Sequence, residues 1–103
     1  MIFFDQSGVS NFSNDNELVK ALERIDDLAA FRNFKSLEEA VSITNEILDI
    51  DIISLGYEAR ETLLHTLFTL SSHYNLSSVN FQKLEKLKDR IESDLVDYID
   101  DLL

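Results

Sequence analysis

Carboxylates, two histidines and a mid-chain serine are the residues of this 103-residue sequence whose types and spacing could do chemistry. Asp49-Ile50-Asp51 opens like an EF-hand calcium loop, which needs oxygen ligands at alternate positions, a turn glycine at the sixth and a bidentate Glu at the twelfth. Here Ile53 stands at the third ligand position, Ser54 at the glycine and Arg60 at the glutamate, so calcium binding by this motif is rejected. His65 and His73 lie eight residues apart, about two helical turns. A helical metal pair sits at i, i+4 and needs a third ligand, and neither condition holds. Surface or half-buried helix histidines are expected, with no metal and no other cofactor. Carboxylate pairs abound because acids do. None has a general-acid partner in an apolar pocket, and there is no phosphate-cradling glycine loop and no nucleophile with a base close in sequence. The expectation is that the chain is not an enzyme.

What remains is charge. The net charge is −11, and all of it resides in two tracts without a basic residue. Residues 36–59 hold six acids, Glu38, Glu39, Glu46, Asp49, Asp51 and Glu58; residues 91–103 hold Glu92, Asp94, Asp97, Asp100 and Asp101. The rest of the chain is neutral, with nine acids and nine bases. Mixed signs suffice for solubility, whereas segregated charge steers an oppositely charged partner. Glu46, Asp49, Asp51, Asp94, Asp97, Asp100 and Asp101 are therefore the candidate partner-binding residues, and the partner is something basic. Nucleic acid and anionic membrane surfaces are disfavoured, because both would be repelled.

The composition fits this reading. A chain of this length makes one domain able to bury roughly two-thirds of its unfolded surface. Apolar content of 45% supports a packed interior despite the charge. The absence of cysteine removes disulfides and thiol chemistry and favours a reducing, cytoplasmic location. Met1-Ile2-Phe3-Phe4 is apolar but stops at Asp5 without a basic flank, so it does not read as a signal peptide. No apolar run reaches transmembrane length.

The elements that must position these acids are helical. With no proline and only Gly8 and Gly56 as breakers, apolar residues recur mostly at three- and four-residue steps. Leu18, Leu22, Ile25 and Ala29 give one face of a first helix, announced by the capping-box-like pair Asn14 and Glu17. Phe31 and Phe34 are expected to pack in the corner that follows. Ser36-Leu37-Glu38-Glu39 is a better capping box and opens a second helix to about Leu48. Asp49 to Ile53 alternates too briefly to found a sheet and reads as a connection whose isoleucines plug the core. Gly56 precedes a third helix from about Tyr57 to Tyr74. After a loop at 75–78, with Ser78 or Asn80 as cap, Leu84, Leu87, Ile91, Leu95, Tyr98 and Leu102 predict one last helix of roughly 35 Å.

The expected fold is a single all-α domain over residues 1–103, with residues 1–13 loosely packed. Its four main helices would form an antiparallel bundle, because short connections favour antiparallel neighbours. A short helical-repeat stack is the rival, although no self-similar period supports it. In an up-down bundle the C-terminal ends of the second and fourth helices share a pole. That would bring Asp49 and Asp51 towards Asp97, Asp100 and Asp101, against the negative ends of both helix dipoles.

Length, acidity, lack of cysteine and helical content, with the tracts Glu46-Ile47-Leu48-Asp49-Ile50-Asp51 and Asp94-Leu95-Val96-Asp97-Tyr98-Ile99-Asp100-Asp101, resemble the small immunity proteins of bacterial contact-dependent and polymorphic toxin systems. The resemblance implies tight cytosolic binding to a toxin domain, often a basic nuclease (RNase or DNase), whose active site is occupied or covered. Tyr57 and Tyr98, each beside acids, would suit interface anchors, though Tyr98 lies on the apolar stripe. The alternative is a non-inhibitory interaction adaptor or regulator of phage or plasmid origin. Acyl carrier proteins, also small, acidic and helical, carry their prosthetic group on the serine of an Asp-Ser-Leu motif. Ile53-Ser54-Leu55 keeps only Ser-Leu, so Ser54 is not expected to be a phosphopantetheine site.

Overall fold

The computed structural model describes residues 15–103, so Asn14 and the N-terminal stretch expected to pack loosely lie outside it. The described chain is all-helical, with four substantial helices: α1 (Asp15–Ala30), α2 (Leu37–Leu48), α3 (Tyr57–His73) and α5 (Ser93–Leu102). A single helical turn, α4 (Gln82–Glu85), and 3-10 turns at Ile52–Ser54 and Lys88–Arg90 complete it.

α3 is the axis of the bundle. Its buried residues, from Ala59 to Leu70, fall on almost every side, which suits a helix packed against α1, α2 and α5 together. α1 makes the largest of these contacts, through Leu18, Leu22, Ile25 and Ala29. The two run parallel. Asp15 Oδ2 accepts from the Gly56 amide at 2.8 Å, Thr66 Oγ1 donates to the Leu22 carbonyl at 3.3 Å, and the Phe34 amide donates to the Tyr74 hydroxyl at 3.2 Å. A Cβ on Gly56 would come within 3.1 Å of that same Asp15 oxygen, so any larger residue here would make the carboxylate give way slightly. α2 makes the return journey. Ser36 caps it as its sequence predicts, its Oγ accepting from the Glu39 amide at 3.2 Å.

The corner between α1 and α2 is built differently from expectation. Phe34 is buried and meets the Tyr74 ring edge-on, but Phe31 is 74% exposed and does not pack there. Two amide-to-carbonyl bonds, Arg32 to Ala29 and Asn33 to Leu28, close α1 in a Schellman pattern. This puts Arg32 at a φ of 55°, where glycine is the usual occupant. The Arg32 guanidinium lies 5.9 Å from the centre of the Tyr74 ring, a cation–π contact that offsets part of that backbone cost.

The long last helix does not form. The stretch is broken into α4, the 3-10 turn and α5, with Ile91 and Glu92 extended between the last two. Asn80 supplies the start, its Oδ1 accepting from the Gln82 amide at 2.9 Å. Lys88 pairs with Asp100, twelve residues on, whereas one continuous helix would hold them about 18 Å apart. The break lets Leu84, Leu95 and Ile99 all enter one core, while Leu87 and Ile91 stay half-buried. The irregular segment therefore does the descending, and α5 runs parallel to α3: Tyr57 meets Asp94, His65 meets Tyr98, and Ser71 lies by Leu102.

Candidate functional site

That change of direction separates the two acidic tracts. Asp51 precedes the 3-10 turn that leads into the N-terminus of α3, whereas Leu102 and Leu103 share a cleft with Ser71 near its C-terminus. The C-terminal ends of α2 and α5 thus point to opposite ends of α3, and the single acidic pole expected from the sequence does not exist. Glu46 is half-buried, and burial, with Asp49 second, pushes its carboxyl above the usual range. Asp49 is exposed and faces Lys83 Nζ at 3.5 Å. Asp51 is exposed, and its backbone carbonyl accepts from Ser54 Oγ at 2.7 Å. Asp100 pairs with Lys88, while Asp97 and Asp101 are exposed.

A different cluster forms where α3 and α5 begin. Arg60, only 8% exposed, is its foundation. Its Nε and Nη2 donate to the carbonyls of Ile52 (3.3 Å), Ile53 (3.1 Å) and Leu55 (2.7 Å), and Nη1 donates to Glu92 Oε1 at 2.6 Å. One planar fork thereby fixes the turn before α3 and the residue before α5. The Glu92 backbone and the Arg60 guanidinium hold the Glu92 carboxyl below its usual range.

One turn outward, the Tyr57 hydroxyl donates to Asp94. That bond, followed by partial desolvation and the charges of Asp94, Glu61 and Glu92, pushes the phenol up to about 12. Tyr57 remains 43% exposed, so an aromatic ring stands in water with carboxylates around it. Asp97 and Asp101 continue this flank, three residues after Asp94 and then four more. Of the residues expected from sequence, Asp94, Asp97 and Asp101 thus lie on one flank that starts at Tyr57. Glu46, Asp49 and Asp51 lie elsewhere. Glu61 and Glu92 were not among the expected residues. The signal that points to Glu61 is its place four residues after Tyr57, on the same side of α3.

The histidines lie apart from this face. His65 Nδ1 is 2.6 Å from Asp26 Oδ2 of α1, and its ring meets Tyr98 edge-on with centres 6.1 Å apart, so Tyr98 is a packed residue. Among the described residues no three His, Asp or Glu side chains are placed to hold a metal ion, and no helix is long and apolar enough to cross a membrane. Compared with protein families, curated proteins and solved structures, the chain matches none.

Proposed function

We propose that this chain is an immunity-type inhibitor that acts in the cytoplasm, binding a basic toxin domain, a nuclease, and covering the groove that holds its polyanion. The observation that supports this is the exposed Tyr57 ring set among Glu61, Glu92 and Asp94, with Asp97 and Asp101 extending the charge. Tyrosine anchors and an acidic surround suit a cationic groove, since the ring supplies contact area and a face for cations while the carboxylates steer the encounter. Arg60 holds both helix ends rigidly, so little is lost in ordering the face on binding.

The direct test is whether a basic nuclease domain is encoded next to this chain and, purified with and without it, is bound and inhibited. A stable complex with lost nuclease activity is expected. Glu61→Gln, Asp97→Asn and Asp101→Asn together should weaken that complex. A matched triple elsewhere, Glu23→Gln, Asp27→Asn and Glu38→Gln, is the control. Equal weakening by both triples would mean bulk charge and no dedicated face. A second reading, a non-inhibitory adaptor, is favoured by the exposed Phe31 and Leu37 around the corner between α1 and α2. Loss of binding in Phe31→Ser with none in the acidic triple would select it.

A further inference from the structure

Among the described residues, the large apolar side chains left exposed fall at the two ends of α3. Tyr57 stands at its start, inside the acidic face. Phe31, Leu37, Phe68 and Leu103 lie towards its other end. Phe68 is in its last two turns, Leu103 shares the cleft with Ser71, and Phe31 and Leu37 flank Phe34, whose ring meets Tyr74 just beyond it. The two most exposed of the set, Phe31 and Leu37, both belong to the corner between α1 and α2. Charge at this corner differs in kind from the Tyr57 face. Asp27, Arg32, Lys35 and Glu38 are all exposed there, and their charges cancel. Such a surface does not steer a strongly basic or acidic partner, whereas a second copy brings the same acids and bases and can pair them crosswise. The backbone already fixes the display. The Phe31 amide donates to the Asp27 carbonyl at 3.1 Å, the Arg32 and Asn33 amides close α1, and Phe34 is buried, so contact requires little further ordering.

We propose that this corner is a self-association face, on which a second copy of the chain docks about a two-fold axis. Phe31 of each copy packs against Leu37 of the other, and Lys35 of each meets Glu38 of the other, as a two-fold contact requires. Two chains of net charge −11 repel, so the end by which they meet matters. Contact at this corner keeps each Tyr57 face about one α3 length away, roughly 25 Å and some three Debye lengths at physiological salt. Both acidic faces stay open in the pair. The self-association does not rest on the inhibitor reading, because no residue of the Tyr57 face takes part in it.

Sedimentation equilibrium of the full chain from micromolar to millimolar concentration tests it, with far-UV circular dichroism to check that each variant folds. The average mass should rise with concentration from one chain to two. Added salt should strengthen the association, because the net repulsion it screens outweighs two ion pairs at a rim; binding to a basic partner has the reverse dependence. Phe31→Ser should weaken the association about tenfold or more, as loss of an apolar anchor does. Lys35→Glu and Glu38→Lys should each weaken it alone. An equimolar mixture of these two variants should recover it, since a mixed pair restores both crosswise contacts. Glu38→Lys also separates the face from bulk charge: it makes the chain less acidic, so charge alone demands tighter association where the two-fold contact demands looser. Four results would each overturn the proposal: a single-chain mass at every concentration, which would leave the corner to a different protein; association that salt weakens; wild-type association in Phe31→Ser; or a mixture no tighter than its two components.

Discussion

Tyr57 shows how far a neighbour's charge reaches into one side chain's chemistry. Its phenol is pushed up to about 12 by the hydroxyl bond to Asp94 and by the surrounding acids. Ultraviolet titration should therefore show a late component from Tyr57, absent in Tyr57→Phe and shifted down towards the ordinary range in Asp94→Asn. A raised phenol contributes stability that is complete below its unfolded value and lost as pH rises through about 12. Lys88, raised chiefly by its bond to Asp100, behaves likewise in alkali. Glu92, held low, has the opposite sign: its contribution is complete above the ordinary carboxylate range and lost as pH falls through its folded value. Arg60 carries a heavier burden because it is buried. Arg60→Ala strands the Ile52, Ile53 and Leu55 carbonyls, which should lower stability by about 3 kcal/mol or more in chemical denaturation. Arg60→Lys should recover little, since an ammonium cannot reproduce the fork.

At the scale of elements, local signals in the sequence were trustworthy and long-range ones were not. The apolar steps of α1, the Ser36 cap of α2 and the start of α3 beside Gly56 are nearest-neighbour matters, and each is where its residues predict. The unbroken stripe from Leu84 to Leu102 reads as one helix because periodicity records spacing and not which surface each turn buries. Leu84 and Ile99 enter the same core only if the chain turns between them, and the device that favours the turn, Arg60 holding Glu92, joins residues thirty-two apart. The seven candidate acids failed as one group for the same reason: helix direction decides their pole, and the break decides helix direction. Mutational cost should follow this division. Ile99→Ala should cost about 2–5 kcal/mol in thermal or chemical melts, as for a sealed core position. Ile91→Ala, at a half-buried site in the extended link, should cost about 1 kcal/mol. Glu46→Gln should stabilise the protein slightly at neutral pH, by about 0.3–1 kcal/mol, because burial and the end of α2 both disfavour the ionised acid there. At a pH below its raised value that gain should vanish, because wild-type Glu46 is then neutral too.

Over the whole molecule, the excess of acids divides into those that hold the fold and those left for solvent. Asp15, Asp26, Glu92, Asp94 and Asp100 each make a tertiary contact, which makes them poor probes of binding, since their removal disturbs packing as well as charge. Glu61, Asp97 and Asp101 carry no such duty among the described residues, and they lie along the face that begins at Tyr57. A partner steered by that face should associate quickly at low salt and progressively more slowly as salt screens the exposed charges beyond about 10 Å. Stopped-flow association with a basic domain that binds the chain should therefore show a steep fall in on-rate with ionic strength for wild type and a shallower one for Glu61→Gln, Asp97→Asn, Asp101→Asn. Dissociation should change little in that triple, because charges at a rim govern encounter more than residence. Tyr57→Ala should do the converse, leaving the salt slope of association nearly intact while raising the off-rate, with Tyr57→Phe in between because it keeps the ring and loses only the hydroxyl tie. If Tyr57→Ala altered neither rate while the triple flattened the salt slope, the face would act by field alone and the ring would have no anchoring role.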